Sequence, residues 1–91
     1  MVVLILERVP MGLRGDLNRW MLEPRAGCFV GVLPAGVRER LWERACREAG
    51  DGSCTMIASA QNEQGFAVLA HNEPRRAIVD FEGISLVKLP L

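Results

Sequence analysis

The chain has no tyrosine, three phenylalanines, two tryptophans, one histidine and a single lysine in 91 residues. Phe29, Phe66 and Phe81 lack the interleaving with basic residues that lets a sheet stack unpaired bases, which argues against reading single strands. Net charge is missing too: 11 basic and 11 acidic residues cancel, so the chain is no globally basic nucleic-acid binder, and any such role must sit in local clusters. His71 is a lone loop histidine with no partner at metal-ligand spacing. The three cysteines, Cys28, Cys46 and Cys54, form no Cys-x-x-Cys pair and leave one over in any disulfide scheme. They read as reduced, mostly buried small hydrophobes of a cytoplasmic protein. The opening apolar run, Val2-Val3-Leu4-Ile5-Leu6, has no basic leader and is too short for a signal sequence or a membrane span.

What is present is apolar bulk and arginine. With 49% hydrophobic and 24% charged residues, the chain reads as one small domain able to bury about 60–65% of its unfolded surface. So small a core invites a subunit interface, which makes a homo-oligomer a fair expectation. All basic residues except Lys88 are arginine, a bias that suits bidentate contacts to phosphate or carboxylate and that a GC-rich genome also produces.

The run at 2–6 is largely β-branched and reads as a central strand. Between 11 and 23, Leu13, Leu17, Trp20 and Met21 recur at helical spacing, and Pro24 marks a stop, so one amphipathic helix is expected there with both Trp20 and Met21 in the core. Residues 26–33 read as a short strand. Pro34 opens a second helix, with Val37, Leu41, Ala45 and Ala49 on one face, Trp42 flanking it, and Glu43/Arg47 and Arg44/Glu48 four apart on the wet side. Residues 53–60 and 66–70 alternate as a hairpin around Gln61-Asn62-Glu63-Gln64-Gly65. Strands at 77–81 and 84–89 follow. This order implies an α+β ferredoxin-like plait: an antiparallel sheet, two helices on one face, an abbreviated hairpin between the helices, and an extra C-terminal strand. The domain is expected to span residues 1–81, with 82–91 as a tail for dimer or partner contact.

Four groups of residues carry chemistry. Arg14 lies at a helix start between Gly12 and Gly15, where free N–H groups favour phosphate; the plain alternative is an arginine paired with Asp16 or a carbonyl. Arg75 and Arg76 make an exposed basic pair after Glu73-Pro74, or else a solvated turn. Glu7 ends the first strand as an isolated carboxylate. Glu63 and Glu82 sit on turns beside the apolar tail of Ile84, Leu86, Val87, Leu89 and Leu91, which suits addition of a strand to a partner sheet or pairing across a homodimer.

The ordered set Val2-Val3-Leu4, Glu7-Arg8-Val9-Pro10, Leu13-Arg14-Gly15, Trp20-Met21-Leu22-Glu23, Arg25-Ala26-Gly27, Val30-Gly31, Trp42-Glu43, Asn62, Gly65-Phe66, Arg75-Arg76 and Val79-Asp80 resembles the small CRISPR-associated adaptation protein, in the variant found with the type I-E interference complex. The resemblance implies a homodimer of ferredoxin-like subunits between dimers of the adaptation integrase. Such a dimer binds double-stranded DNA and takes part in spacer acquisition. It implies DNA contacts at Arg14, Arg75 and Arg76, with Arg38 compensating for Gly12 and Gly36, which stand where relatives carry basic residues. It also implies integrase contacts at Glu63, Glu82, Ile84, Leu86 and Leu89. Relatives that act as metal-dependent nucleases on RNA or duplex DNA carry an aspartate where Glu7 stands. An alternative function is therefore a Mg2+- or Mn2+-dependent endonuclease with Glu7 as both catalytic residue and metal ligand, paired across a two-fold axis. A small-molecule-sensing ferredoxin-like domain is a third reading, which the glycine and arginine loops disfavour.

Overall fold

The computed structural model describes residues 1–10, 12–73, 77–81 and 84–88. In chain order it contains β1 (Val2–Glu7), α1 (Gly12–Leu17), β2 (Leu22–Arg25), β3 (Cys28–Gly31), α2 (Ala35–Glu48), β4 (Ser53–Ser59), β5 (Phe66–His71), β6 (Ala77–Phe81) and β7 (Ile84–Lys88). The first five strands form one sheet in the order β2-β3-β1-β4-β5, and β6 pairs with β7 in a separate two-stranded sheet. All pairings are antiparallel. This is the expected ferredoxin-like plait, extended by β5 and by the terminal hairpin.

β1 lies at the centre because its run is apolar on both faces. Its side chains alternate: Val2, Leu4 and Leu6 are buried, whereas Val3 and Ile5 are half-buried and Glu7 is exposed. Leu4 stands level with Phe29 on one side and Met56 on the other, and these three fill the middle of the core. Leu13 and Leu17 of α1 and Leu41 and Ala45 of α2 close the core from the same face of the sheet. Fully burying a residue such as Leu4 or Phe29 stabilises the fold by about 1.5–3 kcal/mol.

α2 forms as its periodicity indicates. Pro34 holds an extended backbone (φ −60, ψ 150) at the position before the helix and accepts the Arg38 N–H at 3.0 Å. Trp42 packs against the edge of the core. On the outer side Arg44 bonds Glu48 at 2.5 Å, and it also pairs with Asp16, tying α2 to α1.

α1 is shorter than its apolar spacing indicates. It ends at Leu17, and its last turn tightens through Trp20 N–H to Leu17 O at 3.0 Å and Met21 N–H to the same oxygen at 2.8 Å. Met21 reaches the core as expected, but Trp20 does not: it is 50% exposed. Leu13, Leu17 and Met21, four apart, take the core-facing side of α1, and Trp20 is left at its edge, lining a cavity of about 250 Å³ with Val37 and Leu41. Pro24 does not stop a helix. It sits in β2, an edge strand, where a missing N–H is tolerated. The hairpin between the helices is therefore abbreviated as expected, with β2 and β3 of four residues each, but its first strand starts inside the segment that reads as helix. β4 and β5 form the expected hairpin, in register from Cys54 opposite His71 to Ser59 opposite Phe66.

Candidate nucleic-acid interface

Two features converge at the end of β1. The Leu6 N–H donates to Gly27 O at 2.7 Å, which draws the β2–β3 turn over the strand. Gly27 has φ 80, and a Cβ there would strike Leu6 O. On the other side Gly52 lies so close that a Cβ would stand 2.5 Å from both Glu7 O and Arg8 O. Only glycine allows the backbones to meet in this way. Clamped between them, Arg8 takes a left-handed conformation (φ 58), rare for a residue with a Cβ, and turns the chain out of the sheet.

Arg8 and Arg14 line one cavity of about 180 Å³ with Leu6, Val9 and Pro10. Arg14 is 37% exposed and its Nε lies 3.7 Å from Glu23 Oε2, the oxygen that accepts the Gly27 N–H at 2.9 Å. Among the described residues the partner of Arg14 is thus Glu23 rather than Asp16 or a carbonyl; Asp16 pairs with Arg44. A partly exposed ion pair this long contributes little, and a phosphate can compete for the guanidinium. Sequence reasoning overlooked Arg8. The signal was its place just past the apolar run and Glu7 and before Val9-Pro10, where a chain leaving a sheet must turn.

Glu7 follows the alternation of β1 onto the helix-free face of the sheet, level with Ser53, and is exposed. An apolar patch lies beside it on that face: Val3 lies between Val30 and Ile57, Ile5 between Cys28 and Thr55, and Val68 beyond Ile57. No helix of the plait covers these residues, since both pack on the opposite face.

Arg38 does not join Arg14. It is half-buried and lines a different cavity of about 310 Å³, between α2 and the β4–β5 hairpin, with Trp42, Met56 and Leu69. Glu63 is exposed at the tip of the β4–β5 turn. The turn is built by Asn62, whose Oδ1 accepts the Gly65 N–H at 2.7 Å and whose Nδ2 donates to Phe66 O at 3.1 Å. Ile84 opens β7, and Leu86 on the same strand is 45% exposed. Arg75, Arg76, Glu82 and Leu89 lie outside the described residues.

Among the described residues no three histidine, cysteine, aspartate or glutamate side chains come together as a metal cluster. Neither Cys46 nor Cys54 has an activated thiol. Cys54 is fully buried, with its Sγ 3.6 Å from Ala45 O. Burial, and secondarily the neighbouring Cys46, push its thiol up to about 11. The Cys46 thiol is also raised, mainly by burial. No described helix is long and apolar enough to cross a membrane.

The family described as CRISPR-associated protein (Cas_Cas2CT1978) matches the chain over residues 1–86. The chain belongs to that family. Its membership supports a role in CRISPR adaptation or as a Cas2 endonuclease.

Proposed function

We propose that this CRISPR-associated protein is a homodimeric scaffold of spacer acquisition, of the type I-E variant, which binds the backbone of double-stranded DNA and bridges dimers of the adaptation integrase. The observation that carries the reading is the helix-free sheet face, where Val3, Ile5, Val30, Ile57 and Val68 form an apolar surface that a second copy suits. A stable pairing buries about 800 Å² per partner, and an apolar patch of several strands is the kind of surface that supplies it. Two-fold symmetry then presents the Arg8–Arg14 cavity twice. Arg14, Arg75 and Arg76 hold phosphates, with Arg38 contributing from its separate groove. Glu63, Glu82, Ile84, Leu86 and Leu89 meet the integrase.

The nuclease reading rests on one observation: Glu7 ends on the same apolar face, so a second copy packed there brings two carboxylates toward one axis. One carboxylate per chain fits a Mg2+ or Mn2+ ion only if water and substrate phosphate complete its shell, as those ions accept. The ion would supply an activated water. The scaffold role needs no metal.

The test compares the parent, Glu7→Gln, and Arg75→Ala combined with Arg76→Ala, for DNA and RNA cleavage with magnesium or manganese and for spacer acquisition. Acquisition retained in Glu7→Gln and reduced in the arginine variant, with the dimer intact, is the expected result. Metal-dependent cutting by the parent together with loss of acquisition in Glu7→Gln overturns the ranking.

A further inference from the structure

The β6–β7 hairpin belongs to a different sheet from β1–β5, yet one side chain joins them by both ends of its amide. Gln64 Nε2 donates to Ser85 O at 3.0 Å, and Ser85 N–H donates to Gln64 Oε1 at 2.9 Å. In an antiparallel ladder, two residues that face each other exchange two such bonds. The Gln64 amide therefore does for Ser85 what a neighbouring strand would do, and it does so on the side of β7 turned away from β6, where no other described strand pairs with it. Both residues are half-buried, which shields the pair from water.

Location gives the pair its consequence. Gln64 follows Glu63 in the β4–β5 turn, and Ser85 precedes Leu86 on β7, so two residues 21 apart in sequence join the two surfaces that carry them. The turn is itself rigid, held by the bonds of Asn62 to Gly65 and Phe66. A chain of side-chain and backbone bonds thus runs from the five-stranded sheet through Asn62 and Gln64 to the hairpin.

We propose that Gln64 is a positioning residue: its amide latches the β6–β7 hairpin to the β4–β5 turn, so that Glu63 and Leu86 are presented to a protein partner as one preassembled surface. The identity of that partner rests on the scaffold reading above; the latch does not. Preassembly lowers the ordering cost that binding otherwise carries, and it acts on affinity without any contact from Gln64 to the partner.

Two variants test it. Gln64→Leu keeps a branched side chain, one bond shorter, and removes both bonds. Gln64→Glu keeps an acceptor for the Ser85 N–H and, as a carboxylate, faces Ser85 O with no donor. Amide exchange at Ser85 should quicken about tenfold in Gln64→Leu and less in Gln64→Glu, while exchange in β1 and β4 and the melting temperature stay at the parent's values. Unchanged exchange at Ser85 in Gln64→Leu refutes the latch. Affinity for the purified adaptation integrase should fall several-fold in Gln64→Leu in step with the exchange. Quickened exchange with unaltered affinity refutes the preassembly. If the parent does not bind the integrase, the scaffold reading fails, and the latch stands or falls on the exchange at Ser85 alone.

Discussion

Gly52→Ala should be among the most damaging single changes outside the core. The added Cβ would stand 2.5 Å from two backbone oxygens, Glu7 O and Arg8 O. Ordinary contact needs nearly an ångström more, and neither oxygen belongs to a flexible side chain. Either β4 retreats from β1 at the start of their ladder, or Arg8 leaves its left-handed conformation. Overpacking against backbone costs about 1–3 kcal/mol, a large part of the roughly 5–14 kcal/mol expected for a domain of this size. For a chain of fewer than 100 residues that corresponds to a melting temperature lower by about 5–20 °C. Gly36→Ala is the matched control: it lies in α2 with nothing within 4 Å of the new methyl. It should raise the melting temperature by a few degrees, because alanine in a helix is better than glycine by about 0.5–1 kcal/mol. Thermal unfolding followed by circular dichroism reads both. A Gly52→Ala protein that melts within roughly two or three degrees of the parent would refute the argument that the end of β1 is held by backbone contact.

If two copies pair through the helix-free sheet face as proposed, Ile57→Lys, which puts a charge in the middle of that face, should sediment as a monomer while circular dichroism stays that of a folded chain. DNA affinity should fall roughly a thousandfold between 50 and 200 mM salt if Arg14, Arg75 and Arg76 act from both copies on about six phosphates; a slope of one or two contacts would refute the arginine track. Cys54 should resist alkylation at pH 8, where a thiol raised to about 11 is almost wholly protonated, whereas unfolding in denaturant should expose it. Sign follows from the same shift. The buried thiol disfavours its charged form, so its contribution to stability is intact below the unfolded pKa and declines as pH climbs from about 9 toward 11; a pH titration of chemical stability would detect the decline.

Much of this architecture was legible where a pattern is local and redundant. β1 announces itself by a β-branched run, α2 by several turns of consistent period with a proline before it, and the β4–β5 hairpin by alternation around a polar turn. The stretch from Trp20 to Arg25 was not legible, because helical spacing and edge-strand pairing compete there. The outcome depends on Leu22 finding Val30, a contact that no local pattern reveals. The candidate site divides in the same way. Arg14 stands out by composition, but its partner Glu23 and its neighbour Arg8 are fixed by the meeting of β1 with the β2–β3 turn. Gln64 carried no signal at all: a polar residue in a polar turn becomes distinctive only when Ser85 arrives beside it.

The central position of β1 also sets a schedule. This strand is made before both of its neighbours, and its longest pairing, from Val2 opposite Ala58 to Glu7 opposite Ser53, needs residues made some fifty positions later. At about 5–20 residues per second of synthesis, the run Val2-Val3-Leu4-Ile5-Leu6 waits roughly 3–10 s for that partner. β3 arrives sooner and shields one edge. Until β4 emerges, the other edge is an apolar strand without a neighbour, the state most exposed to aggregation and to chaperone capture. The strand that anchors the finished molecule is thus the one at greatest risk while the molecule is being made.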